Sequence, residues 1–204
     1  MSTLVVATGN AGKSAELAEA LQKLTVDSSQ FTVEGLKHLD DATPVEETGA
    51  TFEANAKLKA EGYSLRTPHL VLADDSGLEV DALDGGPGVL SARYGSPTLS
   101  DKARAKAILK ALIDVPDEKR TARFRCVLAV ATNGRTLATF DGVVDGTILR
   151  ELRGENGFGY DPIFFHPPSG RAFGELTREE KDKVSHRGEA IRKFVEAVRR
   201  GAFA

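Results

Sequence analysis

Near the start of the chain, Thr8-Gly9-Asn10-Ala11-Gly12-Lys13 follows an apolar run from Leu4 to Ala7. Leucines at helical spacing come next, Leu17, Leu21 and Leu24. A glycine-rich turn between a strand and a helix offers an anion its backbone N–H groups and the positive end of the helix dipole. Lys13 adds a full charge. The pattern stops short of the P-loop, G-x-x-x-x-G-K-[ST], because the position five before Gly12 is Ala7. These residues read as a phosphate loop of another kind, or as an ordinary strand–helix turn with a solvated lysine.

Acidic residues come next. In "LVLADDSG", Asp74 and Asp75 stand at the end of an apolar run, and Ser76 follows. Adjacent carboxylates there are costly unless they meet a cation or lie in a wet cleft. In open α/β sheets, ligands bind outside the carboxyl ends of the strands, so this is where magnesium chemistry on a phosphate would sit. Asp-Asp-Ser-Gly is also good material for an exposed turn. Upstream, "VEETGATFEANAKLKA" places Glu46 and Glu47 before Gly49, with Lys57 and Lys59 on a helix. Positions two apart point differently, so at most one of these lysines faces a given pocket. One carboxylate from here would complete a hard-cation site with the aspartate pair. Farther on, Phe158, Gly159, Tyr160 and Asp161 offer aromatics on a glycine scaffold, suited to stacking on a base or to plugging a core edge. Ser185, His186 and Arg187 are donor-rich and mark a helix start.

The elements that must position these groups are legible by period. Leu4–Ala7 and Leu70–Ala73 read as buried strands, with Asp74–Gly77 ending the second and Leu78–Asp81 as a further short strand. Phe31–Val33 reads as a short strand. Helices are expected from Gly12 to Leu24, from Thr51 as N-cap to Leu65, and from Ser100 as N-cap to about Ile113. The third carries a stripe of Ala103, Ala107, Ile108, Ala111 and Leu112, and Pro116 ends it. Asn133-Gly134 between two β-rich runs predicts a hairpin. "GENGFGYDPIFFHPPSG" reads as a loop. From Thr177 onward the chain is helical, interrupted near Ser185–Gly188.

The 204 residues carry a net charge of −3, with 41% hydrophobic and 28% charged residues. That is ordinary for one soluble domain with a sizeable core, and it gives no global attraction to nucleic acid or to an anionic membrane. The single cysteine, Cys126, reads as a buried small hydrophobe. No signal-peptide pattern and no apolar run of membrane-spanning length is found, so a reducing cytoplasm is the expected compartment.

Taken together and in order, "TGNAGK", "EETGATFEANAKLKA", "ADDSGLEVDALDGGPGVLSARYG", "RFRCVLAVA", "GFGYDPIFF" and "ELTREEKDKVSHRG" resemble the inosine triphosphate pyrophosphatase family. The likeness runs from about Thr8 to Gly188. It implies an α/β fold, a single mixed-sheet domain over residues 1–204 with two lobes flanking an active-site cleft, and a homodimer. It implies hydrolysis of non-standard purine nucleoside triphosphates to the monophosphate and pyrophosphate. By the same resemblance, Thr8, Gly9, Asn10, Ala11, Gly12 and Lys13 hold the triphosphate, with Lys59 a further contact. Glu47 and Asp75 hold Mg²⁺, and Asp75 is also the base for the attacking water. Ser76 touches the substrate, and Phe158, Gly159, Tyr160 and Asp161 meet the nucleoside. Lys181, His186 and Arg187 complete the pocket. Within the pairs Glu46/Glu47 and Asp74/Asp75 the roles remain interchangeable. The competing readings are a P-loop-like NTPase or small kinase, distinguished by its product, and a non-catalytic nucleotide-binding module, distinguished by binding without turnover.

Overall fold

The structure is a computed structural model that describes residues 2–8, 12–13, 16–17, 19, 21, 31–39 and 41–203. It contains one seven-stranded mixed sheet in the order β2-β1-β3-β4-β5-β6-β7. The strands are β1 (Ser2–Ala7), β2 (Phe31–Gly35), β3 (Leu70–Val80), β4 (Thr121–Thr132), β5 (Arg135–Ile148), β6 (Phe164–His166) and β7 (Arg171–Ala172). The helices are α1 (Phe52–Ser64), α2 (Asp101–Ala111), α3 (Arg178–Val184) and α4 (His186–Arg199). Residues 12–13, 16–17, 19 and 21 are helical as well. The expected α/β mixed sheet is therefore borne out: β2 and β3 flank β1 in parallel, while β5, β6 and β7 pair antiparallel.

Local chemistry accounts for the boundaries. Thr51 caps α1 by accepting from the Ala54 N–H at 3.1 Å, and Ser100 caps α2 by accepting from Ala103 at 3.2 Å. Asn133 and Gly134 take φ of 49° and 73°, the left-handed pair that a two-residue hairpin turn demands, and they join β4 to β5. α3 ends at Val184, and Ser185 alone separates it from α4.

Four expectations need correction. Asp74-Asp75-Ser76-Gly77 is no turn: β3 runs unbroken through it for 11 residues. Polar residues persist inside this strand because their partners are cations described below. The segment read as one loop contains β6, β7 and a 3₁₀ turn at Asp161–Ile163, where Phe164 supplies a buried ring. α2 stops at Ala111; of the predicted stripe Ile108 and Leu112 are buried, Ala103 and Ala107 are half-buried and Ala111 is exposed, while Arg104 and Ala105 complete the buried face. The Arg104 guanidinium is tolerated there because it donates to Asp101 and to the Leu99 carbonyl, both at 2.8 Å. β2 extends two residues past Val33. Leu24 lies outside the described residues, whereas Leu17 and Leu21 are helical and buried as expected.

Contacts divide the chain into two compact units. One comprises residues 1–75, 126–142 and 187–204; the other comprises 76–125 and 143–186. Each has its own core. The first packs Leu17, Leu21 and the α4 residues Ile191 and Phe194 on Leu4, Leu72 and Leu128. The second gathers Ile108, Phe124, Phe164 and Phe173. Among the described residues no helix is long and apolar enough to cross a membrane.

Candidate active site

Strand register brings together the expected site residues of the first unit. In the parallel pairing of β1 with β3, Ala7 stands opposite Ala73. Thr8, which follows β1, therefore stands level with the aspartate pair inside the neighbouring β3. Lys13, in the helical stretch that follows, lies 3.4 Å from Asp74 Oδ2 and 4.0 Å from Asp75 Oδ1. Thr8 is half-buried at the end of β1. Gly9, Asn10 and Ala11 lie outside the described residues, and Gly12 is helical beside Lys13.

α1 supplies the next cation. Asn55, Ala56, Lys59, Ala60 and Tyr63 are its buried face, at i, i+4 and i+8 spacing. Lys59 is thus the lysine turned inward. Lys57 pairs instead with Glu53 at 2.5 Å on the exposed side. Lys59 Nζ lies 3.2 Å from Glu47 Oε1 and 3.5 Å from Asp75 Oδ1, so two carboxylates from different segments meet one ammonium. Glu46, by contrast, is exposed.

The two aspartates differ in environment. Asp74 is fully buried, and burial alone would raise its pKa, but Lys13, Arg187 and Lys59 overcome that and hold it well below the usual carboxylate range. Burial pushes Asp75 up, and the negative charge of Glu47 helps outweigh Lys59 and Lys13. Burial opposes the charge on Lys59, yet Asp74, Asp75 and Glu47 keep it charged. Asp74 is a fixed anion between cations. Asp75 is the carboxylate whose charge is least comfortable, which suits a group that takes up a proton or a metal ion.

Arg187 is buried and held by Glu16, and its Nη2 lies 3.7 Å from Asp74 Oδ2. Glu16 escaped the sequence reading, although its position three residues after Lys13 on a helix was a usable signal. Asn55 escaped it too: a polar residue four before Lys59 on an otherwise apolar helix face was the sign.

The second unit holds the remaining residues. Asp161 Oδ2 accepts from the Phe158 N–H at 2.9 Å and from Lys181 Nζ at 2.6 Å. Lys181 Nζ also sits 4.8 Å from the centre of the Phe158 ring. Gly159 N–H donates to Asp101 Oδ2 at 2.8 Å, and Tyr160 Oη donates to the Ser91 carbonyl at 2.8 Å. The loop's N–H groups at 158, 159 and 161 are thus committed, to Asp161, to Asp101 of α2 and to the Phe158 carbonyl. What it offers a ligand is a ring face. A pocket of about 570 Å³ opens against this loop, lined by Phe158, Gly159, Asp101, Lys102, Leu152 and Pro162. His186 is buried, its ring stacked on Phe124 with centres 4.8 Å apart. Ser76, beside Asp75 in β3, is buried. Cys126 is buried as well, and desolvation pushes its thiol up to about 12, so it behaves as a small apolar residue.

Among the described residues, no group of three or more metal-binding side chains is spaced to hold an ion by itself. The donor set of Glu47 and Asp75 nonetheless fits Mg²⁺, which takes one or two carboxylates and completes its shell with water and substrate phosphate.

Known proteins carry the same arrangement of sequence. The Ham1 family model matches residues 4–197. A dITP/XTP pyrophosphatase of Geobacillus kaustophilus is 48% identical over 196 residues, covering 96% of this chain and 94% of that protein. The dITP/XTP pyrophosphatase of Salmonella typhi is 46% identical over 203 residues, covering 98% and 100%. The structure of a HAM1 protein from Coxiella burnetii superposes with a TM-score of 0.87 at 38% identity, covering 98% of this chain and 100% of that one. The family resemblance is borne out: the chain belongs to the Ham1 family.

Proposed function

We propose that this chain is a Mg²⁺-dependent nucleoside triphosphate pyrophosphatase that hydrolyses non-standard purine nucleotides, dITP, ITP and XTP, to the monophosphate and pyrophosphate. The observation that carries the reading is the identity of 48% over nearly the full length of a relative that bears that activity in its name. The buried cluster of Lys13, Lys59, Asp74, Asp75 and Glu47 supplies chemistry to match.

In this reading Lys13 and Lys59 bind the triphosphate and stabilise charge that grows on the leaving pyrophosphate. Glu47 and Asp75 hold Mg²⁺, which, when bound, neutralises phosphate oxygens and lowers the cost of bringing them to the carboxylates. Water attacks the α-phosphorus, Asp75 accepts its proton, and the α–β bridging P–O bond breaks with its electron pair leaving on pyrophosphate. Asp74 holds Lys13 and Arg187 in place. The Phe158 ring takes the purine face. The 6-keto oxygen of hypoxanthine or xanthine accepts from the donor-rich segment at His186 and Arg187, where the 6-amino group of adenine would set donor against donor. Each buried group left unpaired costs about 1–3 kcal/mol. A homodimer in the cytoplasm that cleanses the nucleotide pool completes the proposal.

The test is a panel of ITP, XTP, dITP, GTP and ATP at one Mg²⁺ concentration, scored for pyrophosphate in ¹⁸O-labelled water. Preference for the first three, with label in the monophosphate, is expected. Orthophosphate as the product, ATP turned over as well as ITP, or binding without turnover would reject the reading.

A further inference from the structure

The segment from residue 41 to 50 that carries Glu47 has no regular secondary structure, yet three points of α1 and its C-terminal end hold it. Arg66 Nη1 donates to the Thr43 carbonyl at 2.5 Å. Val45 lies against Gly62, where an added Cβ would stand 2.8 Å from Val45 Cγ2. Nearest to Glu47, the Gly49 N–H donates to Asn55 Oδ1 at 2.7 Å. Gly49 approaches so closely that a Cβ there would lie 2.7 Å from both Asn55 Oδ1 and Ala54 Cβ. Asn55 is fully buried. Since Gly49 presents a donor, the amide must present its oxygen there, which commits Nδ2 to the opposite side. That Nδ2 makes no hydrogen bond of good geometry among the described residues. The same face of α1 carries Lys59, one turn on, between Glu47 and Asp75.

We infer that Asn55 is the positioning residue of the divalent-cation site, fixing the Gly49 turn so that Glu47 stands opposite Asp75. The inference rests on the proposed function's assignment of Glu47 and Asp75 to the metal. A side chain that orients a ligand without touching the ion commonly changes metal affinity by about 10–100-fold when removed. Asn55 does so through one hydrogen bond whose two ends can be altered separately.

The experiment measures Mn²⁺ binding to the nucleotide-free protein by electron paramagnetic resonance, with circular dichroism as the check of folding. Asn55→Ala removes the acceptor, and Gly49→Ala drives the turn away from it while leaving Asn55 intact. Both should weaken Mn²⁺ about tenfold or more, and neither should weaken it further in a Glu47→Gln background, because each acts through Glu47. Hydrogen exchange at the Gly49 amide should accelerate in both. If Asn55→Ala does not fold, Gly49→Ala decides the matter. Binding weakened by less than about fivefold in a folded variant, or an undiminished loss in the Glu47→Gln background, overturns the role of Asn55. A wild type that releases pyrophosphate but binds no Mn²⁺ overturns the metal assignment and this inference with it. A wild type that binds Mn²⁺ but turns over no nucleotide rejects the proposed function alone.

Discussion

Asp74 and Asp75 are adjacent in one strand and alternate across it, so each meets a different set of cations. Asp74 faces Lys13 and Arg187, and Arg187 is shared with Glu16. Removing one member of a buried ion network leaves the others uncompensated, at about 3–5 kcal/mol. Asp74→Asn should therefore lower thermal stability markedly, with loss of activity as a consequence. Asp75 is crowded by Glu47 and by burial, so its charge contributes little to folding. Asp75→Asn should keep the melting temperature near that of the wild type while kcat falls by roughly 10²–10⁴-fold, the usual worth of a general base. Melting curves and steady-state rates on the two variants check this together. A variant Asp75→Asn with near-normal kcat would move the base to another group.

At the scale of elements, α1 acts as a template for an irregular strap. Its glycine, Gly62, sits in the helix interior, where Gly→Ala ordinarily stabilises by about 0.5–1 kcal/mol. Here the new Cβ would meet Val45, whose branched side chain has little freedom to turn aside. Gly62→Ala should thus fail to stabilise, and it should weaken activation by Mg²⁺, because the displaced strap carries Glu47. Adding Val45→Ala should restore the ordinary helix gain. Thermal denaturation of the single and double variants decides it: a stabilised Gly62→Ala protein would show that the strap is free to shift.

The molecule as a whole is mildly acidic, with net charge −3 and pI about 5.9, so it does not draw a triphosphate from afar. Nor does the described cluster in the first unit. Lys13, Lys59 and Arg187 contribute +3, while Glu16, Glu47, Asp74 and Asp75 contribute −4, a sum of −1. On the proposed reading, a nucleotide carrying several negative charges would meet a site that stays anionic until a divalent cation joins it. Chelating the metal with EDTA should therefore weaken binding of an ITP analogue with a methylene bridge between the α- and β-phosphorus by about tenfold or more. Calorimetry with and without Mg²⁺ measures this, and equal affinities would remove the charge argument for the metal.

The sequence by itself determined the parts whose signals are local. Apolar and β-rich runs and helical spacing announced the longer strands and the helices, Thr51 and Ser100 announced their caps, and Asn133-Gly134 announced the hairpin. Each depends on contacts within a few residues, which the order of side chains records directly. The ordered motifs also carried the family. What only the tertiary structure decided depends on partners distant in the chain. Asp-Asp-Ser-Gly reads as a turn until Lys13, Lys59 and Arg187 arrive to neutralise it, and then it continues as a buried strand. Lys59 is separated from Lys57 only by the face that α1 buries. Glu47 is distinguished from Glu46 by Lys59, and the two aspartates, which share Lys13, by Arg187 beside Asp74 and Lys59 beside Asp75. β6 and β7 were hidden because three- and two-residue strands have no period to read; the pairing of β6 with β5, and of β7 with β6, makes them. Asn55 looked like one more helix residue until its oxygen met the amide of Gly49.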